Sequence, residues 1–406
     1  MDKKYNFEDI VNLSAELNNI QDVDILLERI LLEARKSVQA DAGTIYIRKG
    51  ENLVFNHAQN ATLQSKLPKG KKLIYSTFTV PITHTSIAGY VASTGEILNI
   101  PDAYNIPENK PYHFDSSYDD KAHYKTTSML TIPLKTQIGE TLGVLQVINH
   151  FDDSDNIVAF DHEDELFAHH FANTASMVLQ RAQMTRALLL RMIQMAELRD
   201  PKETGAHVNR VASYSVEIYE KWARGRSIKE DEIQKNRDIL RMAAMLHDAG
   251  KVAISDLILK KPARFTNEEY EMMKTHTYLG AKLFQDKQSE FDEVAAEVAL
   301  THHENWDGTG YPGHINIDTG EAIKTTPDGK ALPKKNEEIS IYGRIVALAD
   351  VFDALSSKRV YKDAWTEDDV LQEIKKCSGS KFDPEIVDIF FDSLDLIKSI
   401  QARYSE

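Results

Sequence analysis

Residues 161 to 200 read DHEDELFAHHFANTASMVLQRAQMTRALLLRMIQMAELRD, forty positions without a proline or a glycine. Leu166, Phe167, Phe171, Val178, Met184, Leu188, Leu189 and Met192 recur near helical spacing, so the stretch reads as one or two long helices. The sequence on its two sides follows different patterns. The chain is therefore read as a first domain over 1–160, a connecting helix over 161–200 and a second domain over 201–406; 406 residues suffice for two cores. The heptads of the connecting stretch are imperfect but suit pairing with a second copy of the chain. His169 and His170 fall inside it and are expected to pack at a surface or interface.

Before the divide, residues 21–38 are apolar at helical spacing. DAGTIYIRKGENLVF reads as two strands about a Lys-Gly-Glu turn, and KKLIYSTFTVP as another strand. TSIAGYVASTG reads as a short helix with Ser86 near its start and Gly95 near its stop, and TSMLTIPLKTQIGETLGVLQVINH as two strands. Helices and antiparallel strands in this order give an α+β domain. The polar segment PDAYNIPENKPYHFDSSYDDKAHYK is a loop suited to covering a ligand cavity. After residue 200 seven segments are helical in pattern, among them NRDILRMAAMLHDAG, TNEEYEMMKTHTYLGAKLF and DPEIVDIFFDSLDLIKSIQA, so the second domain is all-α.

A net charge of −15 argues against a nucleic-acid polymer as partner, since phosphate backbones are held by clustered Lys and Arg. It leaves room for a small phosphate ligand in one local cationic pocket. Cys377 is the only cysteine, so no internal disulfide forms. No signal-peptide pattern and no apolar stretch of about 20 residues is present, and the expected location is cytoplasmic, with no membrane partner.

The second half delivers polar residues at the ends of apolar runs. His247 and Asp248 follow MAAML, His302 and His303 follow AAEVALT, and Asp350 follows RIVALA. Taken singly, each histidine is more simply a core or surface residue. Burying them together beside apolar neighbours is costly unless they are paired or bound to metal, and one shared site accounts for the set. With His207 and His276 they make seven candidates of the mixed nitrogen and oxygen type suited to Fe, Mn, Zn or Ni, too many for one tetrahedral ion and enough for two six-coordinate ones. Glu197, ten residues before His207, is an eighth candidate and would permit a third ion.

HDAGK (His247 to Lys251) and HHENWDGTGYP (His302 to Pro312) resemble the two signatures of the HD-GYP family, a subgroup of the HD metal-dependent phosphohydrolases. ELRDPKETGAH, MKTH, ADVFDALSSKR and GSKFDP match in the right order over about 190–390. The first half, roughly 10–180, resembles a GAF sensory domain through SIAGYVASTG, SMLTIPL and LGVLQVIN. The resemblance implies an HD-type helical catalytic domain that hydrolyses cyclic di-GMP to pGpG, GMP or both, with water activated by two or three divalent ions, usually iron or manganese. It implies metal ligation by His207, His247, Asp248, His276, His302, His303 and Asp350, with Glu197 associated with a third ion. It implies substrate-phosphate contacts at Arg359 and Lys362, and a phosphate or leaving-group role for Lys251.

Asp248 is the candidate bridging ligand, and Asp353, three residues after Asp350 on the same helical face, is read as an acid that orients water or a ligand. Asp307, Gly308, Gly310, Tyr311 and Pro312 are read as shaping the pocket wall. Ala249 stands where the family commonly has Ile, Val360 replaces the usual proline, and residues 313–336 form an insertion beside the site, read as a hairpin lid, a specificity loop or a surface decoration. Two alternatives stay open: a sensor that holds a cyclic dinucleotide without cleaving it, and a phosphodiesterase for another one, such as cyclic GMP–AMP. The GAF half is expected to regulate through the connecting helix, with an unidentified small ligand, or to serve as a homodimer contact.

Overall fold

The computed structural model describes residues 7–68, 70–75, 78–197, 205–357 and 365–404, with the backbone alone at 7–11, 196 and 197. It divides into two compact units, Met1–Arg186 and Ala187–Glu406.

The first unit contains α1 (Phe7–Asn19), α2 (Val23–Ser37), β1 (Ala40–Lys49), β2 (Asn52–Asn60), α3 (Ala61–Ser65), β3 (Thr79–Pro81), α4 (Ile87–Thr94), β4 (Leu98–Ile100), α5 (Ser117–Ala122), β5 (Met129–Lys135), β6 (Thr141–Phe151) and β7 (Ile157–Val158). The helix α6 (His162–Glu197) begins here and continues past the division. The strands make one antiparallel sheet in the order β3-β2-β1-β6-β5-β4, with β7 beside β6. Successive strand residues face opposite sides. Ile45, Ile47, Leu145 and Val147 meet α2 and α6 on one face, while Tyr46 and Val144 meet α4 on the other. The α+β character expected from the pattern is present.

Local chemistry places α4. The Ser86 hydroxyl accepts from the Gly89 N–H at its start, and Gly95 ends it in the left-handed region at φ 70°. Two segments differ from the reading above. Among the described residues of the strand expected over 71–81, only Thr79–Pro81 is strand, at the sheet edge, where proline is tolerated. The polar loop over 101–125 contains α5 and is tied down at Asp119, which accepts from Tyr104 Oη (2.9 Å), Thr126 N (2.6 Å) and Thr126 Oγ1 (2.8 Å).

The second unit is helical: α7 (Gly205–Gly225), α8 (Glu230–Met245), α9 (Asp256–Leu259), α10 (Asn267–Lys274), α11 (His276–Lys282), α12 (Glu290–Thr301), α13 (Ile341–Ser356), α14 (Glu367–Lys376), α15 (Pro384–Asp392) and α16 (Leu394–Arg403). Its core gathers Tyr214 and Ile218 from α7, Leu240 and Ala244 from α8, Val298 from α12, Leu348 and Phe352 from α13, and Phe390 from α15. Two segments that read as single helices are broken. One stops at Thr275, whose hydroxyl donates to the Met272 carbonyl, and the other at Ser393, whose N–H donates to the Ile389 and Phe390 carbonyls. Among the described residues no helix is long and apolar enough to cross a membrane.

Candidate metal centre

The helix ends of the second unit supply most of the site. α8 stops at Met245, and the turn after it carries His247 and Asp248. α11 opens on His276, and α12 closes on His302 with His303 beyond it. His207 lies in the first turn of α7, and Asp350 and Asp353 lie on α13. Helix C-termini leave carbonyls without intrahelical partners. Three histidines use them. Nδ1 of His247 meets the Ala244 carbonyl at 2.8 Å, Nδ1 of His276 the Met273 carbonyl at 2.7 Å, and Nδ1 of His302 the Ala299 carbonyl at 3.0 Å. Facing an acceptor, each Nδ1 carries the proton, so each Nε2 presents its lone pair to the interior.

These lone pairs converge. Ligand atoms of Asp248, His276, His302 and His303 lie within 4.8 Å of one another, and those of His207, His247 and Asp350 form a second such group. Asp248 faces both. Its Oδ1 is 3.1 Å from His276 Nε2 and 3.5 Å from His302 Nε2, and its Oδ2 is 3.3 Å from His247 Nε2. Asp350 Oδ1 stands 3.6 Å from His207 Nε2 and 3.9 Å from His247 Nε2. Nε2 of His276 and of His302 and Oδ1 of Asp248 are buried without a hydrogen bond of acceptable geometry. Buried polar atoms left this way are costly, and a divalent cation among them would satisfy all three. The donor set of imidazoles and carboxylates fits two metal ions.

Asp353 is fully buried behind His207. Its Oδ2 accepts from His207 Nδ1 at 2.8 Å, Arg210 grips both oxygens (2.7 and 2.9 Å), and the Tyr214 hydroxyl reaches Oδ1 at 3.3 Å. Burial would raise its carboxyl pKa, but His207 and Arg210 hold it below the usual value. Burial would likewise raise that of Asp248, but the neighbouring Lys251 and His247 hold it well below the carboxylate range. Burial pushes His302 down against the pull of Asp248. It pushes His303 down further, helped by His302 and His276. Both imidazoles are therefore neutral at neutral pH, the form that ligates metal.

Lys251 lies in a 3-10 turn over Ala249–Ala253, with Nζ 2.7 Å from Asp248 Oδ2. This turn packs on α11, and a Cβ at Gly250 would run into the His276 carbonyl oxygen, so the glycine of HDAGK is required by close approach. In the turn after α12, Asp307 accepts from Thr309 N (3.0 Å) and Thr309 Oγ1 (2.6 Å). Gly308 has φ 80°, and a Cβ at Gly310 would meet the Asn305 N–H. The Tyr311 ring lies over His303, with centroids 4.9 Å apart. Pro312 leads into the insertion, which makes turns at 316–321 and 326–330 and packs Ile315 and Ile317 on Ala281, Ala299 and Leu300.

Arg359 and Lys362 lie outside the described residues, as does the side chain of Glu197. Two further residues of the site are not marked as such by any sequence motif. Arg210 sits one helical turn after His207, a spacing that signals a shared face. Glu304, inside HHEN, is buried and joins both stems of the insertion, accepting from Gly313 N at 2.5 Å and Lys334 N at 3.2 Å. Burial lifts its pKa to about 7 against those two N–H groups.

Residues 22–179 match the GAF domain model and residues 204–355 the HD domain model. The chain is 36% identical to a 3'3'-cGAMP-specific phosphodiesterase 2 of Vibrio cholerae, over 57% of this chain and 39% of the relative. It is 39% identical to a cyclic di-GMP phosphodiesterase of Thermotoga maritima, over 52% of this chain and 49% of the relative. It is 36% identical to the cyclic di-GMP phosphodiesterase response regulator RpfG of Xanthomonas campestris, over 54% of this chain and 51% of the relative. The chain thus spans about half or less of these relatives' own length. Among solved structures, the GAF domain of a phosphoenolpyruvate-protein phosphotransferase from Coxiella burnetii covers 44% of this chain and 95% of its own, at 19% identity and a TM-score of 0.34.

Proposed function

We propose that this chain, in which a GAF domain is joined to an HD domain, is a phosphodiesterase that hydrolyses cyclic di-GMP to pGpG, GMP or both. The observation that carries the reading is the convergence of seven ligand-type side chains from separate helices, three of which hold buried atoms without hydrogen bonds. His207, His247, Asp248, His276, His302, His303 and Asp350 are the proposed ligands of two ions, iron or manganese, with Glu197 the proposed ligand of a third. Bound there, the ions would supply Lewis acidity toward the phosphodiester and lower the pKa of the attacking water.

The remaining roles belong to the chain's own side chains. Asp248, with one oxygen toward each ligand group, is the bridging candidate. Lys251, ion-paired to it, is placed to meet a phosphate oxygen or the leaving group. Arg359 and Lys362 are proposed as further phosphate contacts, Arg359 through a bidentate fork. Asp353 is assigned to positioning, since its oxygens are taken up by His207, Arg210 and Tyr214. A second reading, cyclic GMP–AMP as substrate, is favoured by the similarity to a phosphodiesterase specific for it.

Regulation is proposed to come from the GAF domain within a homodimer. Met177, Met184, Leu188, Met192 and Met195 on α6 are exposed large apolar residues, and a second copy pairing along them would cover them. The lone Cys377, which cannot form an internal disulfide, suits a cytoplasmic location.

The test is turnover of cyclic di-GMP and cyclic GMP–AMP by protein prepared without oxygen and reconstituted with iron or manganese. Products are resolved by chromatography and bound metal is counted on the same sample. Formation of pGpG or GMP with two or three ions per chain supports the proposal. A filled site that cleaves neither dinucleotide refutes it.

A further inference from the structure

We infer that Tyr270 stacks against a nucleobase of the substrate and so helps to set which cyclic dinucleotides the centre accepts. The inference rests on the phosphodiesterase reading above. Tyr270 lies on α10 and is 45% exposed. It stands edge-to-face to Tyr311, with centroids 6.2 Å apart, and Tyr311 lies 4.9 Å from the ring of His303. An open aromatic ring thus sits two ring contacts from the ligand cluster. Lys274 covers part of Tyr270, with Nζ 4.8 Å from its centroid and 5.5 Å from that of Tyr311, and is itself paired to Glu271 at 2.8 Å.

The platform is held before any ligand arrives. A capping box of Thr266 and Glu269 opens α10, Lys261 grips both oxygens of Glu269, and Met273 packs against Ile254, Ile258 and Leu259. These contacts fix the helix that carries Tyr270, so less conformational freedom is lost on stacking. A cyclic dinucleotide carries two bases on a compact phosphate ring. With one phosphate at the ligand cluster, a base emerges within one nucleotide's length, where the surface next to the cluster offers Tyr270. The neighbouring Lys274 ammonium suits the electron-rich edge of a purine and the second phosphate.

The test uses the full chain, metal-loaded, as Tyr270→Leu, Tyr270→Phe and Tyr270→Trp, with metal content and circular dichroism compared to the unaltered protein. Tyr270→Leu is expected to raise KM for cyclic di-GMP roughly 10-fold, with kcat falling less than KM rises, and Tyr270→Phe to restore KM. Titrating cyclic di-GMP into Tyr270→Trp is expected to quench fluorescence saturably, beyond any change from the three native tryptophans. If the unaltered enzyme cleaves cyclic di-GMP and Tyr270→Leu keeps its KM, the stacking role is overturned and the phosphodiesterase reading stands. If the unaltered enzyme cleaves no cyclic dinucleotide, the reading fails and this inference falls with it.

Discussion

His150 in the first unit and His302 in the second begin alike. Each is buried, and each turns Nδ1 to a backbone carbonyl, His150 to Val38 at 2.8 Å and His302 to Ala299 at 3.0 Å. They differ at the other nitrogen. Nε2 of His150 faces one carboxylate, Asp164 at 3.7 Å, and the ring stacks on Phe160. Nε2 of His302 makes no hydrogen bond and points where His276 and Asp248 also point. The Asp41 carboxylate shows the first unit's habit again: its oxygens accept from Thr62 N, Thr62 Oγ1 and Tyr124 Oη. Burial of a histidine is thus no signal of a metal. The signal is several buried donors from separate elements aimed at one place.

The strongest way to break this comparison is to strip the ions. Chelation should abolish turnover and lower the melting temperature of the HD unit while leaving the GAF unit's transition in place, because a ligand at 1,000 times its Kd stabilises only the fold that binds it, by about 4 kcal/mol. Calorimetry with and without chelator checks this, and equal shifts in both units would erase the contrast. Next is Gly250→Ala, which drives a methyl group into the His276 carbonyl. It should cost about 1–3 kcal/mol of stability and reduce bound metal, measured by denaturant melts and metal analysis. Asp353→Asn should keep the fold yet weaken metal binding or turnover roughly 10- to 100-fold, since it alters the group that orients His207. Competition against a metallochromic chelator reads that change, and Asp353→Glu tests for partial recovery.

Two smaller perturbations sharpen the other side. His150→Leu should destabilise the GAF unit by about 1–2 kcal/mol through the lost bond to Val38, with metal stoichiometry unchanged. A fall in bound metal would show that the two histidines are not different in kind. Ser86→Ala removes the cap of α4 and should cost about 1 kcal/mol, visible as a small shift in the GAF transition alone.

Much of this was legible because the signals are local. Ser86 and Gly95 bound α4, and Asp383 with Pro384 opens α15, each acting within a few residues. The ligand residues were legible as polar pairs following apolar runs. What was not legible depends on long separations. Nothing beside Asp353 in the chain shows that Arg210 and His207, 143 and 146 residues away, take up its oxygens. Glu304 reads as one more acid until Lys334, 30 residues on, returns to it. The break at Thr275 is not legible because the apolar pattern continues through it.

Sequence alone determined where the chain changes character, which segments coil, and which residue types stand at the ends of the helices, since helical periodicity, caps and breakers act through neighbours. Tertiary structure alone decided that His207 is held by Asp353, that the inward-facing ligand atoms of separate helices meet, and that Asp248 faces both ligand groups. Those outcomes require helices distant in sequence to pack until their inward-facing nitrogens and carboxylate oxygens come within a few ångströms, and only the folded chain creates that proximity.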